Sequence, residues 1–323
     1  METPLASHGG WFRLVVCFCF LFILPLNGQA GPAEGRQWLL GQIQQDGSLN
    51  SEATLSTAFQ ATTESVETFR IQPDAEPGDL SGVAAYLAAA APDQSAENLA
   101  RRLIASHALG LDFNADRQAL MARQRAYSGF GAFPGHDADA VSTAFALRAL
   151  HRLGVTQEPA AYSLQYLLDS QLDSGGWALD GDNAQVQTTA LAMHALWLYR
   201  NQYQVAAALD AAQSFLLGER DGVLWAGTEQ SALALIALLS RAVDRSPYEP
   251  ALQALANRQN PAGDFDGDVH ATALALRVLA LGSLPPRDLT RLTGRLVDAQ
   301  TGQPLADGRV SLSGSDTREA RTG

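Results

Sequence analysis

Cysteine is nearly absent and lysine wholly so. The 323-residue chain has two cysteines, Cys17 and Cys19, and all 22 basic residues are arginine. Both cysteines lie in one N-terminal apolar run, so the rest of the chain holds no disulfide, no thiolate metal site and no cysteine nucleophile. A lysine nucleophile is excluded as well. There is no basic cluster, and the formal net charge is −12. That balance argues against nucleic acid, anionic membrane surfaces and strongly anionic polymers as partners. Nor is there an apolar run long enough for a membrane span. Residues 14–26, LVVCFCFLFILPL, follow Arg13 and precede the small-residue site Gly28-Gln29-Ala30. Residues 1–30 therefore read as a secretion signal. The chain is expected to be exported, to the periplasm, the cell surface or the outside, with no stable transmembrane span after cleavage. Export without disulfides suits a bacterial envelope. Losing Glu2 and Arg13 with the signal leaves the net charge unchanged.

A repeat is what the chain does have. Residues 164–199 read as helix, Gly-rich turn, helix: Ser174-Gly175-Gly176 ends the first arm, Trp177 follows, and the second arm is apolar on nearly every side. Such a helix must be buried by several neighbours, so copies are expected. The pattern of an apolar residue, Gln, Gly, then an aromatic or Leu recurs at Leu40/Gln44/Gly47/Leu49 and at Leu255/Gln259/Gly263/Phe265. It recurs at Leu120/Gln124/Gly131/Phe133 with a longer turn, and at Phe215/Glu219/Gly222/Leu224 with Glu for Gln. The second arms align on Thr143, Thr189, Ser231 and Thr272, each followed by Ala- and Leu-rich sequence. The arm spanning 54–69 is more polar, with Thr62, Thr63, Glu64 and Glu67, as expected of a terminal repeat that meets water. Residues 80–109 keep the helix pair but lack the Gln-Gly-aromatic element. The total is about six helix pairs.

At these residues the chain resembles the α/α-toroid superfamily over roughly residues 36–283: squalene–hopene and other terpene cyclases, prenyltransferase β subunits, and the thioester domains of complement relatives. The resemblance implies a mainly α fold in which Gln and aromatic side chains tie one helix pair to the next, while inner helices ring a central cavity. It says little of activity, because the toroid carries several unrelated ones.

Three places carry residues with chemistry. Tyr127, His136, Asp137 and Asp139 stand between a turn and an inner helix. A His with two carboxylates can bind metal or move protons; alternatively the Asp residues cap the helix. Asp180 and Asp182 at the corresponding turn of the next repeat favour capping. In the second place, Asp264, Asp266 and Asp268 alternate as in a calcium loop, but Ala275 stands where a bidentate Glu would fall. Residues 268–273, Asp-Val-His-Ala-Thr-Ala, resemble the Asp-x-Asp-Asp-Thr-Ala acid motif of class II terpene cyclases, whose middle Asp protonates an alkene. Here that position is His270, and Ala271 replaces the next Asp. An imidazolium of pKa about 6.5 is a much weaker acid than a carboxylic acid of about 4, so alkene protonation is not expected. A prenyltransferase-like zinc site would need a third ligand from His136 or His194 beside Asp268 and His270, and the thioester chemistry has no Cys. Thirdly, some toroids cleave polysaccharides by β-elimination with Tyr, His, Asn and Arg; Tyr127, His136, His194, Arg148 and Arg277 offer such a set. Arg148, His194 and Arg277 stand five residues after the aligned Ser/Thr. They face solvent or a neighbouring helix, or else make a partly cationic pocket. The catalytic candidates are therefore Asp268, His270, Asp139 and His136, and the metal candidates Asp268, His270 and His136. No cofactor is implied.

Residues 284–291 read as a Pro-containing linker. From 292 to 323 apolar and polar residues alternate, and Gly294, Val297, Asp298, Gly302, Pro304, Leu305 and Val310 resemble the opening strands of a carboxypeptidase regulatory-like, Ig-like β-sandwich. Two or three strands leave such a sandwich incomplete, which implies a fragment of a larger protein. The expected function is a binding or scaffolding module of a surface protein, with a protein, glycan or lipid partner and no recognisable catalytic residues. The alternative is a terpene cyclase/prenyltransferase-like or glycan-lyase-like enzyme using a central cavity with Asp268 and His270.

Overall fold

The computed structural model describes residues 30–71 and 80–283, and the backbone of 309–312 and 318–321. Helices come in consecutive pairs: α1 (Pro32–Gly41) with α2 (Ala58–Ile71), α3 (Ser81–Ala89) with α4 (Ala96–Leu109), α5 (Asn114–Met121) with α6 (Ala140–Arg152), α7 (Ala160–Asp169) with α8 (Val186–Leu198), α9 (Ala206–Gly218) with α10 (Gly227–Arg241), and α11 (Glu249–Ala256) with α12 (Val269–Ser283). The second helix of each pair is inner. Inner helices pack in the order α2, α4, α6, α8, α10, α12 and back to α2, so six pairs close into an α/α toroid. The apolar belts of α8, α10 and α12 meet two inner neighbours each and an outer helix, as helices apolar nearly all round must.

The repeat signature is a hydrogen-bonding device. Each aligned hydroxyl accepts the backbone N–H that emerges from the turn. Thr143 takes Phe130, Thr189 takes Trp177, Ser231 takes Trp225 and Thr272 takes Phe265. Thr62 does the same for Leu49. Two turn residues are thereby reassigned. The buried aromatic of the third pair is Phe130, with Phe133 exposed, and that of the fifth is Trp225 rather than Leu224. The indoles of Trp177 and Trp225 donate to the carbonyls of Leu167 and Leu216 on their own outer helices. The Gln side chains reach onward: Gln124 donates to the Pro159 carbonyl and Gln171 to the Ala208 carbonyl, each at the start of the next outer helix. The turn itself lies against that helix. Gly175 has φ +87°, and a Cβ there would sit 2.5 Å from the Ala211 carbonyl oxygen, which only glycine allows.

The same device closes the ring. Gln259 donates to the Gly31 carbonyl, and Gly263 packs on Glu34 as Gly175 packs on Ala211. Asp268 accepts from the Leu55 amide, Thr54 from the Val269 amide, and Thr68 donates to the Ala273 carbonyl. Helix α2 is thus no terminal surface. Thr62, Thr63 and Glu64 are buried; Thr62 serves the turn of its own pair, and Glu64 faces the axis rather than solvent. Asp180 and Asp182 are exposed, and α8 begins at Gln185 without a side-chain cap, so capping does not recur there as it does with Asp139.

Two four-residue strands, β1 (Arg309–Leu312) and β2 (Arg318–Arg321), pair antiparallel. The rest of the expected sandwich, the signal up to residue 29 and the 284–291 linker lie outside the described residues.

A candidate ligand cavity on the ring axis

Counting from the aligned hydroxyl, or from Leu99 in its place on α4, three positions of every inner helix point to the axis and stack as three layers. Two residues before it stand Gln60, Glu97, Val141, Gln187, Glu229 and His270, nearest the N-terminal ends of the inner helices. Two residues after it stand Glu64, Arg101, Phe145, Leu191, Leu233 and Leu274. Five after it stand Glu67, Ile104, Arg148, His194, Ile236 and Arg277. The first two layers, Gln60 aside, line a cavity of about 240 Å³, with exposed Leu179 and Gln185 also in its wall.

The third layer is a plug. Arg277 binds both Glu64 and Glu67, the latter at 2.7 Å; Arg148 binds Glu67 at 3.0 Å; and Arg101 bridges Glu64 and Glu97, each at 2.8 Å. The guanidinium groups of Arg101 and Arg148 also sit over the Phe145 ring. The Arg148–His194–Arg277 stripe therefore does face the axis. Its charge is answered by Glu67 and Glu64, so the pocket is not cationic. Burial alone would raise the Glu64 pKa, but Arg277 first and Arg101 next outweigh it and hold the carboxylate ionised, well below its ordinary range. His194 is pushed down to about 3, by desolvation first and then by Arg148 and Arg277. It borders a void of about 10 Å³, room for about one water.

The sequence candidates part company here. His270 lines the cavity with a side chain only 7% exposed. Neither ring nitrogen makes a hydrogen bond among the described residues. Nε2 is buried without a partner, 4.0 Å from Glu64, and Nδ1 is 3.8 Å from Glu229. Burial lowers its pKa, with Glu64 opposing and Arg101 assisting. Asp268 is occupied differently: its carboxylate accepts the amides of His270, Ala271 and Leu55, which starts α12 and joins it to the first repeat. Asp139 caps α6 through the Ser142 amide. His136 is exposed against Phe133, and Tyr127 is exposed against Tyr162. Among the described residues, no three His, Cys, Asp or Glu side chains gather as metal ligands would, and no helix is long and apolar enough to cross a membrane. Sequence reasoning found the third layer but missed Glu64, Arg101 and Glu229. For Arg101 no local signal was present, because α4 carries Leu99 where the other inner helices carry the hydroxyl.

Comparison of the fold with solved structures bears on this arrangement. The type II terpene cyclase MstE from Scytonema superposes with a TM-score of 0.63 at 16% identity, over 77% of this chain and 96% of that one. A protein from Actinoplanes gives 0.63 at 15%, over 78% and 98%. The ent-copalyl diphosphate synthase from Streptomyces platensis gives 0.55 at 20%, over 70% of this chain and 51% of that one, so the present chain spans about half of the synthase. The fold is a terpene-cyclase-type α/α toroid. A variant of MstE has also been seen with geranylgeranyl dihydroxybenzoate, its substrate. No protein-family model matches the chain, and no curated protein matches it either.

Proposed function

We propose that this toroid binds and transforms a small ligand in its axial cavity, with His270 as the proton-transferring group, in place of the surface-scaffold role expected from sequence. The observation that carries this reading is His270 itself: at the position of the cyclase acid, nearly buried, lining the cavity, and without a hydrogen bond. Native interiors seldom leave such a group unsatisfied unless it has a task. With its pKa lowered by burial, the ring is neutral near pH 7 and accepts a proton, opposite to the strong acid that starts an alkene cyclisation. The cavity of about 240 Å³ lies at the small end of ligand pockets, which run to ~300–1,000 Å³. The substrate class supported is therefore compact, such as a short isoprenoid or a single sugar, rather than a long polyene. An exported setting belongs to the same proposal.

The test is a mass-spectrometric screen of the purified chain against short prenyl alcohols, short alkyl and prenyl amines, prenylated phenols and monosaccharide derivatives. Turnover of one class is expected, lost in His270→Ala with the circular dichroism spectrum unchanged. Ligands that neither turn over nor raise the melting temperature, together with a His270→Ala protein identical in every assay, would return the chain to the scaffold reading.

A further inference from the structure

Charge around the cavity is not balanced, and the imbalance names a ligand. Among the groups on the axis, Arg101, Arg148 and Arg277 answer Glu64, Glu67 and Glu97. Glu229 is left over. No arginine pairs with it among the described residues; its side chain is 44% exposed, lines the cavity and lies 3.8 Å from His270 Nδ1. A Glu in the first turn of α10 also suits the helix dipole, but that role does not need it beside an unpartnered imidazole. Two acceptors this far apart are both within reach of one ammonium nitrogen lying between them. In the layer beneath, Phe145, Leu191, Leu233 and Leu274 make an apolar wall.

The loops at the same end of the ring repeat the sign. The loops that lead into the inner helices expose Asp46, Glu52, Asp137, Asp180, Asp182 and Asp221, against Arg123, Arg125, Arg220 and Arg258 in the same loops, of which Arg123 is buried. A cleft rimmed by one sign of charge concentrates ligands of the other and repels its own. A diphosphate or a carboxylate approaching this end of the ring would meet it unfavourably.

We infer that the cavity takes a small primary alkylammonium, its head between Glu229 and His270 and its tail on the Phe145–Leu233 wall. The inference rests on the cavity being a ligand site, as proposed above, and adds the charge of what enters it.

Three probes of matched shape separate the two ideas: hexylammonium, hexanol and hexanoate, titrated calorimetrically into the full chain at low salt and near neutral pH. Hexylammonium is expected to bind about tenfold tighter than hexanoate and to weaken as salt is added. Glu229→Gln is expected to remove most of that preference with the spectrum of the folded chain intact. Leu233→Trp, which fills the cavity, is expected to abolish binding of all three. Hexanoate binding as tightly as hexylammonium, or a preference unchanged in Glu229→Gln, overturns the ammonium assignment while hexanol binding keeps the cavity reading. Silence from all three probes overturns both.

Discussion

His194 sits where Thr189 plus five places it, facing Arg148 and Arg277 with Glu64 and His151 farther off. Its neutral form is stabilised because desolvation and two guanidinium groups penalise a further positive charge. The sign of the pH effect follows. The folded pKa, about 3, lies below the ordinary histidine value of about 6.5, so the unfolded chain binds the extra proton first. The contribution of His194 to stability is whole above about pH 6.5 and is lost as pH falls toward 3. His270, lowered by burial, acts in the same direction, and Glu64 adds its own loss as pH falls below the ordinary carboxylate range. The melting temperature of the wild type should therefore fall between neutral pH and pH 5, and His194→Gln should flatten that fall. A fluorescence melting series across pH reads both slopes; parallel curves would show that His194 is not the group that titrates.

At the scale of the element, the unit is a turn whose emerging amide is caught by one hydroxyl. Trp177 is fully buried, and its amide has Thr189 Oγ1 as acceptor at 3.0 Å. Thr189→Val keeps the shape but orphans that amide, which costs about 1–3 kcal/mol; urea denaturation should show the loss as a lower midpoint with an unchanged slope. This much was legible in the sequence, because a local device repeats at a fixed register and so leaves Thr143, Thr189, Ser231 and Thr272 in line. The exceptions were local too. In the longer third turn the spacing pointed to Phe133, while the chain buries Phe130, three residues nearer the outer helix. Spacing also offered Asp180 and Asp182 as caps, but a carboxylate caps only when the backbone brings the first-turn amides to it, as at Asp139. His270 was legible from its motif position. Its partner Glu229 was not, because a lone Glu at the head of a helix looks the same whether it faces water or a cavity.

The molecule as a whole is a ring, and ring closure is what sequence order hides. Arg277 and Glu64 are 213 residues apart along the chain and adjacent in space, so no local pattern joins them. The polarity of α2 then read as an exposed end. Asp268 shows the same point from the other side: its three amide partners belong to two different ends of the chain. Asp268→Ala should lower stability by about 0.5–2 kcal/mol, the range for a lost helix cap, while leaving the affinity for hexylammonium unchanged. Equilibrium unfolding and calorimetry on the same preparation test this. A collapse of affinity at unchanged stability would assign Asp268 to the site after all.

Closure also sets an order of events during synthesis. Glu64 and Glu67 leave the ribosome early, and Arg277 on α12 leaves among the last residues of the toroid. Until then the two carboxylates lack their shared counterion, and water is the better solvent for them. The growing chain is an open arc with its axial side wet. Such an arc is open to a protease until the final helix completes the ring.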